Sequence, residues 1–150
     1  MRSLCAMELR IQQLAPNLRI PEQAHEGDAG IDLRSAVDFS LAPGERRRVP
    51  TGIAVEIPPG HAGLVLPRSG LADRHGIALV NSPGLIDAGY RGEIHVILIN
   101  LDANEVVEFS CGDRIAQLVL VRFESVEIKI ADALTESTRG DRGFGSSGKG

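Results

Sequence analysis

Aromatic rings, cysteines and long apolar runs are all scarce in this sequence. Of 150 residues only Phe39, Tyr90, Phe109, Phe123 and Phe144 are aromatic, and tryptophan is absent. The core must therefore be aliphatic, and a ring outside a strand pattern needs another role. The two cysteines, Cys5 and Cys111, lie far apart and form no Cys-x-x-Cys pair. Neither a disulfide framework nor a zinc motif is indicated. His25, His61, His75 and His95 lack metal-ligand spacing and read as ordinary surface or core histidines. No apolar run reaches the roughly 18 residues of a membrane span. Met1 to Met7 carries no apolar segment of signal-peptide length. No membrane association is expected, and the cytoplasm is the expected compartment. Positive charge is also short: 16 Lys and Arg against 20 Asp and Glu leave a net charge of −4. Nucleic-acid binders are usually basic overall, so no nucleic-acid partner is expected. A few local arginines still suffice to hold a small anion.

What is present is punctuation. Pro43-Gly44, Pro58-Pro59-Gly60, Pro67, Pro83-Gly84, Gly92 and Cys111-Gly112-Asp113 separate short runs rich in Ile, Val and Leu. Ile53 to Ile57 and Val126 to Ile130 alternate with period two and read as half-buried strands. Ile94 to Leu101 and Ile115 to Val121 are apolar at nearly every position and suit central strands covered on both faces. Pro43-Gly44 fits the centre of a type II turn, with Gly44 at positive φ. Arg46-Arg47-Arg48 reads as a solvated turn. One segment differs: residues 69–75 predict a short helix, with Ser69 as cap and Gly76 as stop. Many short strands at close spacing predict an all-β, jelly-roll-like sandwich or barrel. Residues 1–138 are expected to form one β domain. Residues 139–150, rich in glycine and flanked by Arg139 and Lys149, cannot bury a core and are expected to form a mobile arm. The arm nearly matches a phosphate-binding P-loop. However, Gly150 stands where Ser or Thr is needed, and no helix follows.

Four polar clusters interrupt this apolar pattern. Asn81 to Glu93 crowds Asp87 and Tyr90 among Pro83, Gly84, Gly89 and Gly92, and reads as a tight hairpin able to grip a small flat molecule. The alternative is a plain surface loop, since Asp is a common turn residue. Asp32 lies in a strand-like stretch and reads as a reactive acid or a local salt bridge. Arg68 and Ser69 sit at a strand-to-helix junction, where free N–H groups make an anion site. Gln117 interrupts an apolar strand, as a ligand or as a satisfied buried amide. Phe144, between glycines and arginines, suits a ring that closes over a base.

Five segments resemble, in order, the five motifs of the trimeric dUTP pyrophosphatase (dUTPase) family. They are Ala29 to Leu33, Pro67 to Ala72, Asn81 to Val96, Gly112 to Leu118, and Arg139 to Gly148. The resemblance implies a jelly-roll homotrimer with sites shared between subunits, the arm of one chain closing a site built by others. It implies hydrolysis of dUTP to dUMP and pyrophosphate with Mg²⁺ on the triphosphate. Such an activity would keep uracil out of DNA and supply dUMP for dTMP synthesis. Asp87 matches the general base for water attacking the α-phosphorus; a carboxylate suits that role because it can accept the water's proton. Tyr90 matches the ring packed on the deoxyribose. Asn81, the backbone around Leu85, Ile86 and Asp87, and the backbone at His95 match the uracil readers. Arg68, Ser69 and Gly70 match phosphate binders, and Gln117 a polar partner of the phosphates or the water. Asp32 matches the acid that holds hydrated Mg²⁺ through water. Arg139 matches a γ-phosphate ligand, Phe144 a ring stacked on uracil, and Gly145, Ser146 and Ser147 phosphate donors. Arg142 departs from the family's usual glycine, and Arg34 has no assigned role.

Two rival readings stand beside this one. A dCTP deaminase shares the fold but needs a glutamate to activate water at C4 of cytosine, and its equivalent hairpin lacks the tyrosine. A non-catalytic nucleotide sensor or trimeric adaptor would bind dUTP without turnover and would have no use for a base at the α-phosphorus.

Overall fold

The computed structural model describes residues 7–141 and 143. Among these the chain forms ten strands and one helix. In order they are β1 (Arg10–Gln13), β2 (Ile31–Arg34), β3 (Phe39–Leu41), β4 (Arg46–Glu56) and β5 (His61–Leu66). Then follow α1 (Ser69–His75), β6 (Ile77–Leu79), β7 (Gly84–Ile86), β8 (Glu93–Asn100), β9 (Val107–Phe109) and β10 (Arg114–Arg122). One sheet has the order β1-β4-β8-β6, the other β2-β10-β5-β7, and β3 pairs with β9. All pairings are antiparallel. The expected all-β, jelly-roll-like architecture is what the chain adopts.

The two sheets share one aliphatic core. Leu33, Ile115, Leu118 and Val65 come from one sheet, and Val49, Val96, Leu98 and Ile77 from the other. Leu33 and Leu98 are fully buried, and each such leucine contributes roughly 1.5–3 kcal/mol on leaving water. The only described ring stack is part of this core: Phe39 and Phe109 face each other at 4.6 Å, with Arg47 over Phe39. Thus Arg46-Arg47-Arg48 is not a turn but the start of β4, paired with Ile97 to Ile99 of β8. The preceding turn is where Pro43-Gly44 places it, with Gly44 at φ 76° and the Glu45 N–H bonded to the Ala42 carbonyl at 2.9 Å.

β8 and β10 are central, as their apolar runs predict. Cover on both faces is not met among the described residues: His95 is exposed, and Ile97, Ile99, Val119 and Val121 are only half-buried. The strand expected at Val126 to Ile130 is absent. Residues 123–130 carry no regular structure, and Ile128 and Ile130 are 89% and 99% exposed. Period two marks a strand only when another strand accepts its hydrogen bonds, and none among the described residues does so. The cap of α1 lies one residue earlier than expected. Arg68, at φ −96° and ψ 126°, is the capping position and makes no side-chain cap bond, so Ser69 opens the helix instead of capping it. Gly76 ends it in the left-handed conformation, as predicted. Arg34 has a structural role, in which its Nη1 donates to the Gly112 carbonyl at 2.8 Å and ties β2 to the turn before β10.

Candidate active site

Asn81 to Glu93 is not a hairpin. β7 pairs with β5, whereas β8 pairs with β4 and β6, so the segment crosses from one sheet to the other. Glycines and prolines mark a reversal of the chain but do not say which strand each arm joins. The crossing walls a cleft of about 280 Å³ lined by Arg48, Asn81, Leu85, Ile86, Asp87, Tyr90, Glu93 and His95 among others. Ile86 points into the core, at 8% exposure, and Leu85 points out, at 65%. The Asp87 carbonyl accepts from the Tyr90 N–H at 3.0 Å, closing a tight turn. Tyr90 Oη donates to the Glu93 carbonyl at 3.0 Å. Its ring lies over Gly92, where an added Cβ would come 2.5 Å from the hydroxyl. Only glycine permits that approach. Asp87 is exposed, and among the described residues its carboxylate makes no hydrogen bond or ion pair. The His95 ring rests on Glu93, with Nδ1 3.1 Å from the Glu93 carbonyl and Nε2 3.7 Å from its carboxylate.

A second cleft, of about 370 Å³, gathers Gly30, Asp32, Arg68, Ser69, Gly70, Arg114 and Gln117 with Asp28. Antiparallel pairing sets Gln117 opposite Asp32 and Leu66. Asp32 sits between two guanidinium groups, Arg68 Nε and Arg114 Nη1, each at 3.3 Å. The local salt bridge considered for Asp32 therefore exists and involves two arginines. Gln117 Nε2 donates to the Pro67 carbonyl at 2.9 Å. Its Oε1 crosses Gly30 so closely that a Cβ there would lie 2.5 Å away. Ser69 and Gly70 stand at the first turn of α1, where N–H groups lack intrahelical acceptors. Sequence reasoning missed Arg114 and Asp28 as lining residues. Arg114 lies inside one of the five motif segments, but its partnership with Asp32 depends on strand register.

Gly30 yields a sharp prediction. In Gly30→Ala the flexible end of Gln117 must swing away, which costs under about 1 kcal/mol of stability. The amide then loses its place in the cleft. Turnover should fall about tenfold through lost positioning, with the melting temperature nearly unchanged; paired melting and turnover measurements check this.

The predicted residues thus fall into two clefts with no lining residue in common. Arg139 is exposed and lines neither cleft. Phe144, Gly145, Ser146, Ser147 and Arg142 lie outside the described residues. Among the described residues no group of three or more His, Cys, Asp or Glu could hold a metal ion. No described helix is long and apolar enough to cross a membrane.

A cleft of mixed apolar and polar walls with one unengaged carboxylate, beside a separate cleft bearing two arginines on a jelly-roll fold, fits a nucleotide-handling β protein. The family model for dUTPase matches residues 17–148, and the chain belongs to that family. It is 55% identical over 145 residues to a deoxyuridine 5'-triphosphate nucleotidohydrolase of Mycolicibacterium gilvum, covering 93% of this chain and 94% of that one. Against the corresponding protein of Corynebacterium efficiens the identity is 52% over 142 residues, covering 95% of this chain and 78% of that one. Among solved structures, the Staphylococcus bacteriophage 80alpha dUTPase with dUPNHPP superposes with a TM-score of 0.86 at 33% identity, covering 95% of this chain and 99% of the phage chain. A variant dUTPase from phage phi11 of S. aureus, described as coordinating a structural Mg(II) ion, matches with a TM-score of 0.77 at 30% identity, covering 85% and 98%.

Proposed function

We propose that this chain hydrolyses dUTP to dUMP and pyrophosphate in a site built between copies of itself. One observation carries the reading: the cleft with Asp87 and the arginine cleft are both present, and they share no lining residue among the described residues. A triphosphate held only by one of them would lack either its phosphate ligands or its base. Joining the first cleft of one copy to the second cleft of another supplies both.

In that composite, uracil meets Asn81, the backbone of Leu85 to Asp87 and the backbone at His95, and the deoxyribose packs on Tyr90. Asp87 accepts a proton from water as the water oxygen bonds to the α-phosphorus. The bond from the α-phosphorus to the bridging oxygen breaks, and pyrophosphate carries away the electron pair. Arg68, Ser69, Gly70 and Gln117 hold the phosphate chain in line for this attack. Mg²⁺ bound to the triphosphate would neutralise part of its charge. The donor set fits an ion carried in by substrate with much of its water: one carboxylate, Asp32, already flanked by two arginines, and no cluster among the described residues for a resident ion. Asp32 would then reach it through water. Arg139 and the segment from Phe144 to Ser147 would close over the nucleotide from another copy, as an arm distinct from the domain of residues 1–138.

A homotrimer is supported by what the lone chain leaves uncovered. Ile128, Ile130 and Leu134 are 89%, 99% and 91% exposed. Apolar surface stabilises by roughly 25 cal/mol per Å² when buried, and a period-two segment with no partner strand among the described residues is suited to adding a strand to a neighbour's sheet. The exposed Cys111 thiol fits a reducing, cytoplasmic setting.

The test is pyrophosphate release from dUTP, dTTP, dCTP and UTP with Mg²⁺. The expected result is a kcat/KM for dUTP at least about a hundredfold above the other three. Release of ammonia from dCTP would favour the deaminase, and binding of dUTP without turnover the sensor.

A further inference from the structure

The turn that carries Asp87 meets β4 twice, from opposite ends. Arg91 folds back over it: Nη1 donates to the carbonyls of Ala88 at 2.6 Å and Tyr90 at 3.0 Å. Its Nη2 lies 3.8 Å from the Glu56 carboxylate at the end of β4. At the other end, Glu93 Oε1 accepts from the Gly52 N–H at 2.8 Å. Gly52 sits where the β4–β8 register shifts between Pro50 and Ala54, at φ 69°. A bulge leaves its extra residue outside the ladder, and the Glu93 carboxylate takes the N–H left over. The Gly52 carbonyl is held in turn by the N–H groups of Leu14 and Ala15, at 2.7 and 3.1 Å.

We infer that Arg91 and Glu93 are positioning residues that clamp the Asp87 turn to β4. The inference rests on the proposed role of Asp87 as base. The Asp87 carboxylate has no side-chain partner of its own among the described residues, so its place is set by the backbone of residues 87–90. That backbone is held by Arg91 across its carbonyls, and the Glu93 side chain, bonded to Gly52, anchors the residue whose carbonyl takes the Tyr90 hydroxyl. The exposed Arg91–Glu56 ion pair adds little to stability. The effect of the clamp lies in placement, because a misplacement of about 1 Å at a reacting group costs on the order of a hundredfold in rate.

Three variants test the clamp. Arg91→Met keeps the stem and removes the donors. Glu93→Leu removes the acceptor, and Glu93→Gln retains an Oε1 acceptor for Gly52. Arg91→Met and Glu93→Leu should lower kcat about tenfold or more while KM for dUTP stays within about threefold, and Glu93→Gln should recover most of kcat. In the nucleotide-free protein, amide exchange at residues 87–92 should quicken in the first two variants and not in the third. Equal kcat loss in Glu93→Gln and Glu93→Leu would overturn the clamp, as would unchanged exchange in the loop. If the unaltered protein releases no pyrophosphate, the functional reading fails instead, and the exchange measurement alone decides whether the clamp holds the turn.

Discussion

Replacing Asp87 by asparagine is expected to slow pyrophosphate release from dUTP by about 10²–10⁴-fold, the range that a positioned base contributes. Affinity for a non-hydrolysable dUTP analogue should change by less than about threefold, because asparagine keeps the shape of the side chain and the walls of the cleft. Stability should stay within about 0.5 kcal/mol, as for other surface substitutions: Asp87 is exposed, and no described side chain pairs with its carboxylate. The three readouts separate a base from a structural residue. Loss of rate with retained binding and folding supports the base. Full activity would remove Asp87 from the mechanism.

The second large effect is expected from removing residues 139–150. Turnover should fall by about two orders of magnitude, the scale of lost positioning around a reacting group. Oligomeric state and melting temperature should hold. The last described strand ends at Arg122, and the hydrophobic cluster contains no described residue beyond Leu120. Phe144→Ala should reproduce part of the loss, since stacking on a base is worth about 1–3 kcal/mol. Turnover with sedimentation analysis checks both points. An unchanged rate would refute the closing arm, and dissociation of the oligomer would assign those residues to assembly instead.

Much of the fold and the site was legible in the chain. Gly44 and Gly76 mark the turn and the helix stop where the structure has them, because positive φ selects glycine. The run from Ile115 to Val121 marks a central strand, although Val119 and Val121 are only half-buried. Strand partnership was not legible. Pro83, Gly84 and Gly92 suggested a hairpin, but the partners of β7 and β8 lie in different sheets, and local turn chemistry does not encode that choice. Arg114 is silent in the sequence because its contact with Asp32 is set by the register of β10 on β2. Val126 to Ile130 carries a strand pattern with which no described strand pairs. The period records an apolar face but not what covers it. Gly30 and Gly92 could be seen as glycines, but the side chains of Gln117 and Tyr90 that exclude a Cβ there are known only from the packing.

The shared site can be tested by mixing two inactive variants. Asp87→Asn subunits lack the base, and Arg68→Gln subunits lack a phosphate ligand in the other cleft. Each variant alone should be nearly inactive. Unfolded together and refolded at equal concentrations, they should recover about a quarter of the unaltered rate, since random assortment around the proposed cyclic trimer leaves both groups intact in that share of sites. If each site lay within a single chain, every site would lack one group and the mixture would stay as inactive as its parts, contradicting the composite site.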